Sequence, residues 1–272
     1  MQPKRKSILG TVAALFVATV VGVQAQTPAA DEPSYRTGFN AAKQLGLDLY
    51  GALGNAQQQQ IHVEPVALET DMTPSVKPVE YPNDPKPLRL IFISVGFVDL
   101  MNHVAHAKAI DKIIQKGYFD RYVASLAQET GEMSLKELPG VSNPKFWSDD
   151  VMNEQQSNFN QMVGNVMAIE LSHHYLGHYK KYADKLAIVP KGRPTTINNL
   201  LTPAEWDDAV RAGARNALDS GCGVEGVEVL YDALDKMPKK PVWSGYFLPD
   251  SAKVAKMKKD LDKLSKDFFK GK

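Results

Sequence analysis

The chain has 272 residues, with 32 basic against 31 acidic side chains, 43% hydrophobic residues and one cysteine, Cys222. The near-neutral balance argues against bulk nucleic-acid binding, which needs a basic surface. A lone cysteine excludes an internal disulfide framework, so stability must come from a core or a ligand, and the length is ample for one core or two.

Lys4, Arg5 and Lys6 form a positive n-region, an apolar run covers residues 8–23, and Val23-Gln24-Ala25 is a small-x-small cleavage site, so residues 1–25 read as a removed secretory signal. The apolar run is short for a bilayer core of about 30 Å. Without Lys4, Arg5 and Lys6 the basic count falls from 32 to 29 against 31 acidic residues, a net charge near −2. Gln26, not a cysteine, directly follows the cleavage site, so there is no attachment point there for a lipid. The expected location is the periplasm or outside the cell.

Apolar residues Phe39, Leu45, Leu49 and Leu53 predict a helix within 35–60. Residues 61–87 then carry Pro65, Pro74, Pro78, Pro82, Pro85 and Pro87, a spacing that forbids a long helix and predicts an extended arm. His62, in this arm, reads as a surface residue. Residues 88–93 are a short apolar run that suits a buried strand or a helix start. From 97 to 128 the apolar spacing is helical, with Gly117 as a dividing point, and His103 and His106 share one face at i, i+3.

Ser148, Asp149 and Asp150 mark the start of a long helix running to the region 184–190, with glycines at 164 and 177. On it Glu170, His174 and His178 fall at successive i+4 steps, with His173 about 100° round from His174. Two histidines one turn apart on a helix are a recurrent zinc arrangement. Thr202-Pro203-Ala204-Glu205 reads as a capping box, which accounts for Glu205 without a metal and leaves Asp208 as the preferred later acid. Cys222, between two glycines, reads as a small residue in a turn. Val254, Met257, Leu261, Leu264 and Phe268 form a heptad seam on a basic amphipathic helix, expected to dock on its own domain, with an anionic membrane surface or a partner helix as the alternatives. There is no phosphate-cradling glycine loop, Gly-x-Ser-x-Gly elbow or Cys-x-x-Cys.

The fold class expected is mainly α: a multi-helix domain over 88–272 around a long central helix carrying the histidines, preceded by a helix and a proline-rich extended arm over 26–87.

The segment Ile169-Glu170-Leu171-Ser172-His173-His174-Tyr175-Leu176-Gly177-His178 resembles the active-site helix of HExxH-type zinc metallopeptidases, particularly membrane-associated and periplasmic ones. Glu205-Trp206-Asp207-Asp208-Ala209, with Gly213 and the glycines around Cys222, is loosely similar to their third-ligand helix. The resemblance implies zinc as cofactor, Glu170 as the general base and His173 as a ligand. It departs from the pattern at the first-ligand position, where Ile169 cannot bind metal. Three readings follow: a decayed site on a scaffold that binds a protein or peptide partner; a rebuilt site using His174 and His178 completed by His103, His106 or an acid such as Asp208; and, last, half of a Glu-x-x-His di-iron bundle whose second motif the chain lacks.

Overall fold

In the computed structural model, residues 35–81, 85–126, 135, 137–187, 196–237, 240–247 and 254–271 are described. The signal segment lies outside them. All described residues belong to one compact unit.

The molecule is mainly helical, with a small sheet at one side of the bundle. Helix α1 covers Phe39–Ala52 and α2 is the short turn Asn55–Gln58. The proline-rich arm is extended, as its prolines require, and supplies strands β1 (Val66–Glu69) and β2 (Val76–Tyr81). The 88–93 run is a strand, β3 (Leu88–Ser94), lying between them, parallel to β1 and antiparallel to β2. Pro78 sits on an edge strand, where a missing N–H is tolerated. Backbone pairing thus joins the arm to the body.

Ser94 ends β3 and caps the next helix, accepting from the Phe97 N–H. Helix α3 (Val95–Ile113) and α4 (Tyr118–Leu126) are separated at Gly117, whose φ of 81° needs no Cβ. A 3-10 turn, Pro144–Trp147, leads into α5 (Asp149–Tyr175), with Ser148 at the N-cap and Asp149 and Asp150 in the first turn. Helices α6 (His178–Ala187), α7 (Pro203–Asp219), α8 (Glu225–Lys236) and α9 (Val254–Lys270) follow. Helix α5 is the spine, touching α3, α7, α8 and α1. At 27 residues it is about 40 Å long.

Two corrections to the sequence expectations concern this spine. The long helix does not continue to residue 184: it stops at Tyr175 because Gly177, at φ 77°, takes the left-handed turn and α6 restarts at His178. Glu170, His174 and His178 therefore do not form one stripe. At the other end a buried polar tie fixes the chain before α1. Thr37 Oγ1 donates to Asn102 Oδ1 (2.7 Å), and Gln155 Nε2 donates to both (3.1 and 2.8 Å), pinning that segment to α3 and α5.

Helix α7 opens with the anticipated capping box, Thr202 Oγ1 accepting from Glu205 N–H and Glu205 from Thr202 N–H. Helix α9 lays Val254, Met257, Leu261 and Phe268 against α7 and α8. The seam thus docks on its own domain, with Leu264 only partly covered. Among the described residues no helix is long and apolar enough to cross a membrane.

Candidate functional site

The histidines divide between the two ends of α5. His106 Nε2 donates to Phe146 O (2.7 Å), just before α5 begins, and its Nδ1 lies 3.5 Å from the Tyr35 hydroxyl. His103 Nδ1 meets the Tyr122 hydroxyl at 3.0 Å. Tyr35 and Trp147 close ring contacts around the pair, His106 and Trp147 edge-to-face at 4.7 Å. Burial pushes His103 down to about 4, helped by the neighbouring His106, so it is neutral at pH 7. His106 is lowered by burial as well, with the Phe146 bond acting against it.

The second cluster lies at the C-terminal end of α5, about 35 Å along the helix from the first. His103 and His106 therefore do not come to His174 and His178, and the rebuilt set that needed them does not assemble. The Gly177 turn brings His178 over His173, with Nδ1 to Nδ1 at 3.2 Å, so one ring donates and the other accepts. His174 points elsewhere: its Nε2 donates to Leu90 O of β3 (3.0 Å) and its ring lies 5.2 Å from that of Tyr179.

Glu170 is 2% exposed and His173 wholly buried. One carboxyl oxygen, Oε1, accepts from Asn198 Nδ2 (3.1 Å), and the same amide donates to Tyr246 O (2.8 Å). Among the described residues Glu170 Oε2, His173 Nε2 and Asn198 Oδ1 have no hydrogen-bond partner. Burial drives Glu170 up to about 8, with the Asn198 bond opposing, so the carboxyl is protonated at neutral pH. Burial, with His178 and His174 nearby, drives His173 down to about 3, with Asn198 acting in the opposite sense. Glu170 and His173, 3.9 Å apart, are thus both neutral at pH 7 and form no ion pair. Buried Tyr231 stands close enough to Glu170 for the carboxyl to push its phenol further above its ordinary range, where burial already holds it.

Helix α7 supplies the rim. Burial lowers His178, while Glu205 and exposed Asp208 pull it back up. Glu205 is engaged three ways, by Lys181 (2.6 Å), Tyr182 (2.8 Å) and its cap; burial pushes its carboxyl up, but those bonds outweigh it and hold the group at about 2. One turn further, Ser172 Oγ donates to Ile169 O (2.6 Å) and lies 3.4 Å from Ala209 O. There α5 and α7 touch backbone to backbone: a Cβ at Gly213 would lie 2.6 Å from Ile169 Cα and N. Ile169, 4% exposed, is a packing residue of that crossing.

Among the described residues the side chains around Glu170 do not complete a three-ligand zinc set. Zinc binds nitrogen and oxygen at about 2.0–2.2 Å, which places two tetrahedral donors roughly 3.3 Å apart; the Nδ1 atoms of His173 and His178, at 3.2 Å, have that spacing, while Glu170 Oε2 and His173 Nε2, at 3.9 Å, are wider. The next unpartnered atom, Asn198 Oδ1, is an amide oxygen, and His178 spends its Nδ1 on His173. Among the described residues no group of three or more His, Cys, Asp or Glu side chains could hold a metal ion.

Asn198, in the 3-10 turn Ile197–Asn199, was missed by motif reading because an asparagine in a polar loop carries no spacing signal. Gly213 stood inside the similarity to the third-ligand helix, but nothing in the sequence says that it faces Ile169. No family model, no curated protein and no solved structure matches the chain.

Proposed function

We propose that the protein is an exported, non-catalytic helical module built on a metallopeptidase-like scaffold, working by contact with a partner rather than by hydrolysis. The observation that supports this most directly is the Ile169–Gly213 approach, which fills with close packing the place where the resemblance calls for a zinc ligand. The neighbouring chemistry agrees. A general base must be ionised and reach a substrate-bound water, whereas the Glu170 carboxyl is sealed, neutral at pH 7 and bound to Asn198. Glu170, His173 and His178 then serve as a neutral polar core that orients α6 and the Asn198 turn against α5.

The test is metal content and chelator response. The protein purified without a histidine tag should carry no stoichiometric zinc, its unfolding midpoint should not move with EDTA, and it should not cleave casein. Stoichiometric zinc lost in a His173→Gln/His178→Gln variant would overturn the reading and restore a metal centre.

A further inference from the structure

Helix α9 has a second stripe. Opposite the seam that buries Val254, Met257, Leu261 and Phe268, the exposed residues Lys259, Lys263, Lys266 and Lys270 recur at 4-3-4 spacing and so lie along one line. Lys256 and Lys258 on the same helix are neutralised, by Asp207 and Asp260 and by Asp232. The four lysines of the stripe make no ion pair or hydrogen bond among the described residues. Beside its C-terminal end stands Phe269, 64% exposed, the most exposed large apolar side chain described.

We infer that this face of α9 docks on an anionic lipid surface, the lysines meeting headgroups and Phe269 entering the interface. The inference goes beyond the proposed function and holds whether or not the Glu170 cluster binds metal. The apolar face of α9 is packed against α7 and α8, so what this face offers is headgroup attraction from a cationic line, with Phe269 on its flank as a single ring that can enter the interface. Nucleic acid fits less well, since it calls for a broad basic surface and the chain carries only +1, falling to near −2 without Lys4, Arg5 and Lys6. Asp262 and Asp267 flank the stripe, one on each side, and subtract two charges without interrupting the line. The rest of α9 is committed to α7 and α8, so the helix needs no rearrangement to present this face.

The experiment is vesicle co-sedimentation of the full chain with phosphatidylglycerol/phosphatidylethanolamine vesicles and with phosphatidylcholine alone. Binding should require the anionic lipid and weaken in about 0.5 M salt, where screening acts within about 4 Å. Lysines contribute about fivefold each at such a surface, so Lys263→Glu/Lys266→Glu should bind at least about 25-fold more weakly. Phe269→Ser should lose about tenfold, and the exposed control Lys116→Glu/Lys145→Glu should bind as wild type; all variants should keep the wild-type unfolding midpoint. Equal binding to phosphatidylcholine, or unchanged binding in Lys263→Glu/Lys266→Glu, would overturn the proposal and assign any membrane affinity to the apolar 8–23 segment. Equal loss in the control pair would overturn it too, reducing the effect to net charge.

Discussion

The histidine clusters at the two ends of α5, one reaching it from α3 and one on α5 and its following turn, look alike in sequence and are built on opposite plans. Around His103 and His106, rings and hydroxyls close on the imidazoles: Tyr122 meets one, while Tyr35 and the Phe146 carbonyl meet the other. Around Glu170 and His173, a carboxyl oxygen, an imidazole nitrogen and an amide oxygen are buried with no hydrogen bond of ordinary geometry among the described residues, Asn198 only lying near His173. A buried polar atom left unpaired costs more than a made bond contributes. The first end is therefore an aromatic box that stabilises the bundle. The second is a polar core whose stability depends on the protonation of its members, and histidine spacing alone cannot tell the two apart.

The comparison breaks most sharply at the crossing that holds the second cluster in place. Gly213→Val would drive a branched side chain into the Ile169 backbone, an obstacle that no rotamer change removes, and should cost about 3 kcal/mol. Denaturant unfolding of the variant checks this, and a loss under about 1 kcal/mol would show that α7 can slide away from α5.

A smaller effect, but one peculiar to the second end, is its pH dependence. Glu170 rises from an ordinary 4.5 to about 8, so between those values the folded state keeps a proton that the unfolded chain has released, and stability falls as pH climbs through this window. His173 and His103, held down to about 3 and 4, act the other way, removing stability as pH drops below 6.5. The Glu170 end should thus lose stability on both sides and the His103 end only in acid. Glu170→Gln keeps the Asn198 bond and removes the alkaline loss. At pH 9 it should exceed wild type by about 2 kcal/mol, a few pKa units discounted for local relaxation, while the acid limb stays. Unfolding curves across pH decide it, and an unchanged alkaline limb would mean that Glu170 ionises without penalty in the fold.

Much of this architecture was legible in the sequence, for identifiable reasons. Proline spacing gave the extended arm, Gly117 divided α3 from α4, Thr202 to Glu205 capped α7, and the 3-4 spacing from Val254 to Phe268 gave the seam of α9. Each is a local rule, satisfied within one or two turns of chain. The site was less legible because its geometry is set by contacts distant in sequence. Gly177 was noted as lying in a helix, yet its left-handed turn is what sends His178 to His173 and leaves His174 to Leu90. Asn198 and Gly213 reach Glu170 and Ile169 from other elements, and no periodicity on α5 announces them.

Asn198 sharpens the contrast at the next level of magnitude. Asn198→Ala strips the only hydrogen bond of the Glu170 carboxyl described here and also frees Tyr246 O. It should cost about 2 kcal/mol at pH 7, the price of stranding a buried group. Because the Asn198 bond currently holds Glu170 down, its loss should move the Glu170 titration higher and extend the alkaline decline. A variant that is destabilised with an unshifted alkaline limb would separate the packing role of Asn198 from its electrostatic one.

The smallest effect belongs to the aromatic box. Tyr122→Phe removes the hydroxyl facing His103 Nδ1 and preserves the ring, which is wholly buried. His103 is itself only partly buried, so water can replace the lost partner and the cost should stay near 0.5–1 kcal/mol. With the hydroxyl gone, the imidazole is better hydrated and its titration should move up from about 4 toward 6.5, shortening the acid limb of the stability profile while leaving the Glu170 limb untouched. Proton NMR titration of His103 in the two proteins reads this directly. An alkaline limb that moved with Tyr122 would show that the two ends of α5 are coupled through the helix, and the division between a closed box and an open polar core would fail.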